Sequence, residues 1–130
     1  MERIRIRIHF EGNHSLGRGK AQLLEAVTES GSISAAARSM GMAYRHAWEL
    51  IDDLNQCFGQ PVLTTAAGGR SGGGASLTPL GRELVRRFRA MERATSRAIA
   101  KDLAALDRKR APQQPKKRTK TPTKRARRGR

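Results

Sequence analysis

GSISAAARSMGMAYRHAWELIDDLNQCF, residues 31–58, decides the fold. Ser32 suits the N-cap of a short helix over Ile33 to Met40, because its hydroxyl can accept from an early backbone N–H that has no helical partner. Ala35, Ala36 and Ala37 keep that helix thin, so that another helix can cross it closely. Gly41 supplies a tight turn, being free to take positive φ. From Ala43 to Phe58 the apolar positions Tyr44, Ala47, Trp48, Ile51, Leu54 and Phe58 fall three and four apart, which defines one buried stripe of an amphipathic helix. Arg45, His46, Glu49 and Asp52 fall outside that stripe. A short helix, a Gly-centred turn and a second amphipathic helix together make a helix-turn-helix, whose second helix enters the DNA major groove. The acidic pair Asp52–Asp53 lies in the second half of this helix, so an approach to phosphate uses the first half.

Downstream, Pro61 breaks the chain and Val62 to Thr65 is a short strand candidate. Ala67 to Gly74 contains five glycines, too flexible for helix or strand, and Ala75 to Leu77 is the candidate returning strand. Thr78-Pro79 is a helix start, with Thr as N-cap and Pro at the first helical position, where its missing N–H is harmless. Leu80, Leu84, Phe88, Met91, Thr95, Ile99, Leu103 and Leu106 then predict one helix from Pro79 to about Lys109, roughly 45 Å long. A small domain cannot cover so long a stripe, which favours burial against a second copy; the alternative is a helix whose far end frays. Upstream, Arg3 to Phe10 alternates strictly, with Ile4, Ile6, Ile8 and Phe10 on one face and Arg3, Arg5, Arg7 and His9 on the other, a half-buried strand. Glu11 to Gly19 reads as a loop, and Lys20 to Ser30 as a helix ended by Gly31. The expected fold is mainly α with a small β wing. It comprises a winged helix-turn-helix and long dimerisation helix over residues 1–109, and a disordered Lys/Arg/Pro-rich tail over 110–130.

Net charge is +16, unevenly spread. Residues 108–130 hold 12 Lys/Arg and no acidic residue, leaving 15 basic against all 11 acidic residues in the rest of the chain. Such a tail, including Lys116, Lys117 and Arg118, suits a polyanion, since each neutralised DNA phosphate releases counterions; the bland alternative is a solvated extension. Cys57 is alone, so no intramolecular disulfide forms, and its expected role is helix-end packing. No apolar run approaches the ~20 residues of a membrane span, and MERIRIRI is not a signal peptide. The expected location is the cytoplasm.

Chemistry-bearing motifs are few. Gly68 to Gly74 lacks the Gly-Lys-Ser/Thr ending of a phosphate-binding P-loop. It reads as a flexible hairpin tip or as a wing, in which the Gly69–Arg70–Ser71 backbone and the Arg70 side chain reach phosphate or minor groove. His9, His14, His46 and Cys57 have no zinc-type spacing. No nucleophile–base arrangement comes with a supporting motif, so an enzyme is not expected, and neither is a cofactor or metal.

GSISAAARSMGMAYRHAW…LN followed by GGRSGGGASLTPLGRELV resembles the N-terminal winged-helix domain of the molybdate-responsive transcription regulators, the ModE family, itself related to the LysR-type helix-turn-helix. The resemblance covers about residues 3–106, and the Tyr-x-x-Ala-Trp helix paired with a Gly-Gly-x-x-Gly-Gly-Gly wing is its specific part. It implies a homodimer with two wings reaching along the duplex. By position, Ser32 and Ser34 would lie near phosphates, and Tyr44, Arg45, His46 and Glu49 would occupy the leading turns of the recognition helix. Trp48 would be core, or would meet the DNA backbone with its edge. His46 also reads as an ordinary surface histidine. Ala43 stands where the family commonly has a Ser starting that helix, and the family's C-terminal oxyanion-binding domains have no counterpart here.

The reading is a sequence-specific regulator of double-stranded DNA, binding as a homodimer, with Arg45 the best candidate for a guanine edge. One rival is an architectural nucleoid protein dominated by its tail. Another is a sensor of molybdate or another oxyanion, for which no pocket signature stands out.

Overall fold

The computed structural model describes residues 4–66 and 74–112. In chain order the elements are β1 (Arg7–Phe10), β2 (His14–Gly17), α1 (Arg18–Ser30), α2 (Ile33–Ser39), α3 (Tyr44–Phe58), β3 (Leu63–Ala66), β4 (Gly74–Leu77), α4 (Pro79–Ala98) and α5 (Ala100–Lys109). The chain divides into two compact units, 1–98 and 99–130. The first is a winged helix-turn-helix.

Burial explains its order. Ala21, Leu23, Leu24 and Val27 of α1 meet Ile33, Ala36 and Ala37 of α2 and Ala47, Ile51 and Leu54 of α3 in one cluster, joined by Val62, Leu77, Leu84 and Phe88. Ala36 and Ala37 of α2 and Ala47 of α3 are all removed from water in this cluster. Each large side chain fully removed from water contributes about 1.5–3 kcal/mol, and Leu23, Leu24, Ile51, Leu54 and Phe88 are all in that state. Ser32 is the N-cap of α2, its hydroxyl accepting from Ala35 N at 2.9 Å. Gly41, at φ 68°, makes the turn into α3.

The wing is tied down at its root. β3 and β4 pair antiparallel, Leu63 opposite Leu77 and Ala66 opposite Gly74. Asn55 Oδ1 of α3 accepts from Val62 N at 2.8 Å, and Ala75 N donates to Gly31 O at 2.8 Å. Thr78 caps α4 as expected, accepting from Gly81 N at 3.1 Å while donating to Pro61 O at 2.9 Å. Gly81 permits a close approach, because a Cβ there would lie 2.3 Å from Val62 O.

Three expectations need correction. The first strand is shorter than Arg3 to Phe10, its ladder running from Arg7 to Phe10. The stretch read as a loop over Glu11 to Gly19 contains β2 and the start of α1. Gly12 and Asn13 take φ of 86° and 69°, which closes a tight hairpin, and Phe10 then meets Phe58 edge-on at 5.6 Å. The helix expected from Pro79 to Lys109 is two helices, because Ile99 leaves helical geometry at φ −100° and ψ 4°. Just before that break, Thr95 Oγ1 donates to Met91 O at 2.8 Å, a side-chain bond that loosens and bends a helix. α5 by itself is amphipathic, with Leu103 half-buried, Leu106 exposed, Asp102 in its first turn and Arg108 and Lys109 in its last, as the helix dipole favours.

An ion network holds α4 to α1. Arg89 donates to both Glu25 oxygens at 2.8 and 3.0 Å and to Glu92 Oε1 at 2.6 Å. Glu92, the buried charge of α4, also accepts from Arg18 Nε at 3.4 Å. The bidentate bond to Glu25 keeps the Arg89 guanidinium protonated well beyond its ordinary range. Nothing in the one-dimensional pattern pointed to this network.

Candidate nucleic-acid interface

α3 is anchored through Ala47, Ile51 and Leu54 and leaves one side of its first half exposed. Ile51 and Leu54 face the core, and Asp53 turns inward, accepting from Lys20 Nζ of α1 and from His14 Nδ1 of β2, the latter at 2.7 Å. Partial burial works to raise the Asp53 carboxyl, but the hydrogen bonds from Lys20 and His14 outweigh it and hold the group below its ordinary value. Asp52 instead lies exposed and accepts from Gln56 Nε2 at 2.9 Å. The acidic pair is therefore split, one member serving as the strut that fixes α3 against α1 and β2. Cys57 packs half-buried at the same end; burial, together with the negative charge of Asp53, raises its thiol, which makes it a poor nucleophile at neutral pH.

The first two turns of α3 carry an exposed ridge. Tyr44, Arg45, His46 and Glu49 are all exposed. Tyr44, expected in the buried stripe, is 55% exposed: at the first helical position its ring lines the cleft towards the wing instead of entering the core. Trp48 is half-buried, its ring edge-on to Tyr44 at 6.5 Å, so the pair stiffens the leading turn. His46 Nδ1 lies 3.4 Å from Glu49 Oε1. Arg45 has no hydrogen bond or ion pair among the described residues, so its guanidinium is available to an outside partner. Ala43 starts the helix in extended geometry and gives no side-chain cap, leaving early N–H groups of α3 unclaimed by a side chain.

A cleft of about 220 Å³ joins this ridge to the wing, walled by Ser32, Tyr44, Trp48, Thr65 and Ala75. The fold thus brings together Ser32, Tyr44 and Trp48 from the sequence-predicted set. Ser34 is exposed on α2, 3.2 Å from the Arg38 guanidinium. Gly69, Arg70 and Ser71 of the wing, and Lys116, Lys117 and Arg118 of the tail, lie outside the described residues. Thr65 and Ala75 were missed by sequence reasoning: they reach the cleft only because the β3–β4 register sets them opposite one another. A faint signal was the pairing of LTT with ASL around the glycine run.

Among the described residues there is no group of three His, Cys, Asp or Glu side chains able to hold a metal. No helix among them is long and apolar enough to cross a membrane.

The comparisons with known proteins agree with this geometry. The model of the bacterial regulatory helix-turn-helix proteins of the lysR family matches residues 19–82. The molybdenum-pterin-binding protein MopB of Rhodobacter capsulatus is 40% identical over 85 residues, 65% of this chain and 32% of that protein. The molybdenum transport protein ModE of Azotobacter vinelandii is 42% identical over 73 residues, 56% of this chain and 27% of that one. The DNA-binding transcriptional dual regulator ModE of Escherichia coli K12 is 38% identical over 69 residues, 53% and 26% of the two. The chain spans about a third or less of the length of these curated relatives. Among solved structures, ArgP of Mycobacterium tuberculosis is similar at a TM-score of 0.47 and 25% identity over 65% of this chain and 30% of that one, too loose a likeness to bear on the fold. Residues 19–82 are thus a LysR-type helix-turn-helix domain, and the chain is a homologue of the ModE and Mop proteins.

Proposed function

We propose that this chain is a sequence-specific transcription regulator that binds duplex DNA as a homodimer. The first two turns of α3 enter the major groove, Arg45 reads a guanine edge, and the wing, through Gly69, Arg70 and Ser71, lies on the flanking backbone or minor groove. The observation that carries this reading is the ridge Tyr44–Arg45–His46–Glu49, exposed on a helix whose other half is pinned by Asp53. Ser32 walls the adjoining cleft and Ser34 is exposed on α2, so both suit phosphate contacts, and the edge of Trp48 adds an apolar surface to the same cleft.

Pairing of two copies is supported by apolar side chains left open on the C-terminal helices, Met91 on α4 and Leu106 on α5. Two recognition helices in successive major grooves imply half-sites about one helical turn, ~34–36 Å, apart. The tail, with Lys116, Lys117 and Arg118, adds sequence-independent attraction.

Its charge also favours a second reading, an architectural DNA-binding protein in which the folded unit only pairs. Selection of bound genomic fragments by the full chain and by a chain ending at Asp107 separates them. A regulator enriches the same motif in both forms, with uniformly lower affinity and a shallower salt dependence after truncation. An architectural protein enriches no motif and loses nearly all binding with its tail.

A further inference from the structure

One cluster of charge plays no part in the interface above. Arg89, Arg93 and Arg97 follow one another at four-residue spacing along α4, so their side chains share one face. With Arg18, Ser96 and Ile4 they line a groove of about 450 Å³, within the range of small-ligand sites. No lining residue comes from α2, α3 or the wing. Four guanidinium groups line it; among the described residues, Glu92 in the groove wall accepts from Arg18 and Arg89, and Glu25 on α1 accepts from Arg89. Those two carboxylates are taken up by Arg89 and Arg18. Arg93 and Arg97 are exposed and have no hydrogen bond or ion pair among the described residues. Like charges four apart on a helix repel, and here the repulsion runs through three successive arginines. A bound polyanion would relieve it.

We propose that this groove is a phosphate site, taking a group with two or more phosphate charges. Arg93 and Arg97 are its primary donors, Arg89 and Arg18 supply a background of fixed positive charge, and Ser96 supplies a hydroxyl. The chemistry is specific to the residue type: planar guanidinium forks bond phosphate oxygens two at a time, where single ammonium groups would act as point charges. Glu92 does not oppose this, since its two oxygens face Arg89 and Arg18. Ile4 gives the groove one apolar wall. The phosphate source is a free polyphosphate or the backbone of a nucleic acid.

The test uses the full chain, isotopically labelled, titrated with inorganic pyrophosphate while backbone amides are followed one by one. That readout separates the groove from the tail, which also attracts anions. The Ile4 and Ser96 amides should move and saturate, and the R93Q/R97Q double variant should bind at least about tenfold more weakly at those amides. A short duplex of arbitrary sequence decides the source. If it saturates the same amides and displaces pyrophosphate, the groove takes backbone; if pyrophosphate stays, it takes a free polyphosphate. Amides that never move, or that move equally in R93Q/R97Q, overturn the proposal. As the groove shares no residue with α3, the double variant should keep the wild-type preference between DNA sequences, so either reading can fail while the other stands.

Discussion

Replacing Arg89 by Leu tests the packing of α4 on α1. The substitution keeps the apolar part of the stem and removes three hydrogen bonds, two to Glu25 and one to Glu92. Glu92, 9% exposed, would be left with Arg18 Nε at 3.4 Å. Removing one partner of a fully buried ion pair costs about 3–5 kcal/mol, and of an exposed pair at most ~1. The Arg89 and Glu25 side chains are 24% and 39% exposed, so the Glu25 half belongs near the weak limit and the Glu92 half near the strong one. With about 3 kcal/mol from the Glu92 half and at most ~1 from the Glu25 half, the sum is about 3–4 kcal/mol, a large share of the ~5–15 kcal/mol that holds a domain together. Urea unfolding of the full chain should show a midpoint lower by roughly 1–2 M at unchanged slope. The R89L/E92L variant should recover at least half of the loss, because it no longer strands a buried carboxylate. The reasoning is refuted if R89L costs under ~0.5 kcal/mol, or if the double variant is weaker than R89L alone.

Gly81→Ala drives a Cβ into the Val62 carbonyl, so it should cost about 1–3 kcal/mol or more in the same unfolding assay, although Ala is the better helix former. Ala43→Ser gives α3 the cap it lacks and should stabilise by roughly 0.5–1 kcal/mol, read as a higher unfolding midpoint. Asp53 is held below its unfolded value, so its contribution is complete above about pH 4–5 and fades as pH falls through and below the ordinary carboxylate range. Asp53→Asn should therefore be less stable than wild type at pH 7, with the gap closing towards pH 2.

The helix-turn-helix was legible because its signals are local. Ser32 as a cap, the alanines of α2 and the three-four spacing of Ala47, Ile51 and Leu54 each act within a turn or two of chain. The β1–β2 hairpin was half-legible. Alternation from Ile4 to Phe10 showed one strand, but HSLG is short and ends in glycine, and only its pairing with β1 and the packing of Leu16 make it a strand. Tyr44 was misread because apolar spacing reports a helical face but not where along the helix that face leaves the core. The break at Ile99 has no Gly or Pro to announce it. Least legible were the contacts between distant residues: Asp53 with His14 and Lys20, and Arg89 with Glu25, join positions 33 to 64 apart, and composition is silent about them.

The most direct test of sequence reading by α3 is a ratio of affinities. The protein's selected site and an unrelated duplex of equal length are titrated at one fixed ionic strength near physiological, with wild type and Arg45→Ala side by side. Wild type should prefer its site by at least ~10³. Arg45→Ala should lower that preference by about 5–150-fold for each half-site it reads, a loss of ~1–3 kcal/mol, while binding to the unrelated duplex changes little. Equal losses on both duplexes would reduce Arg45 to a phosphate contact and contradict the account.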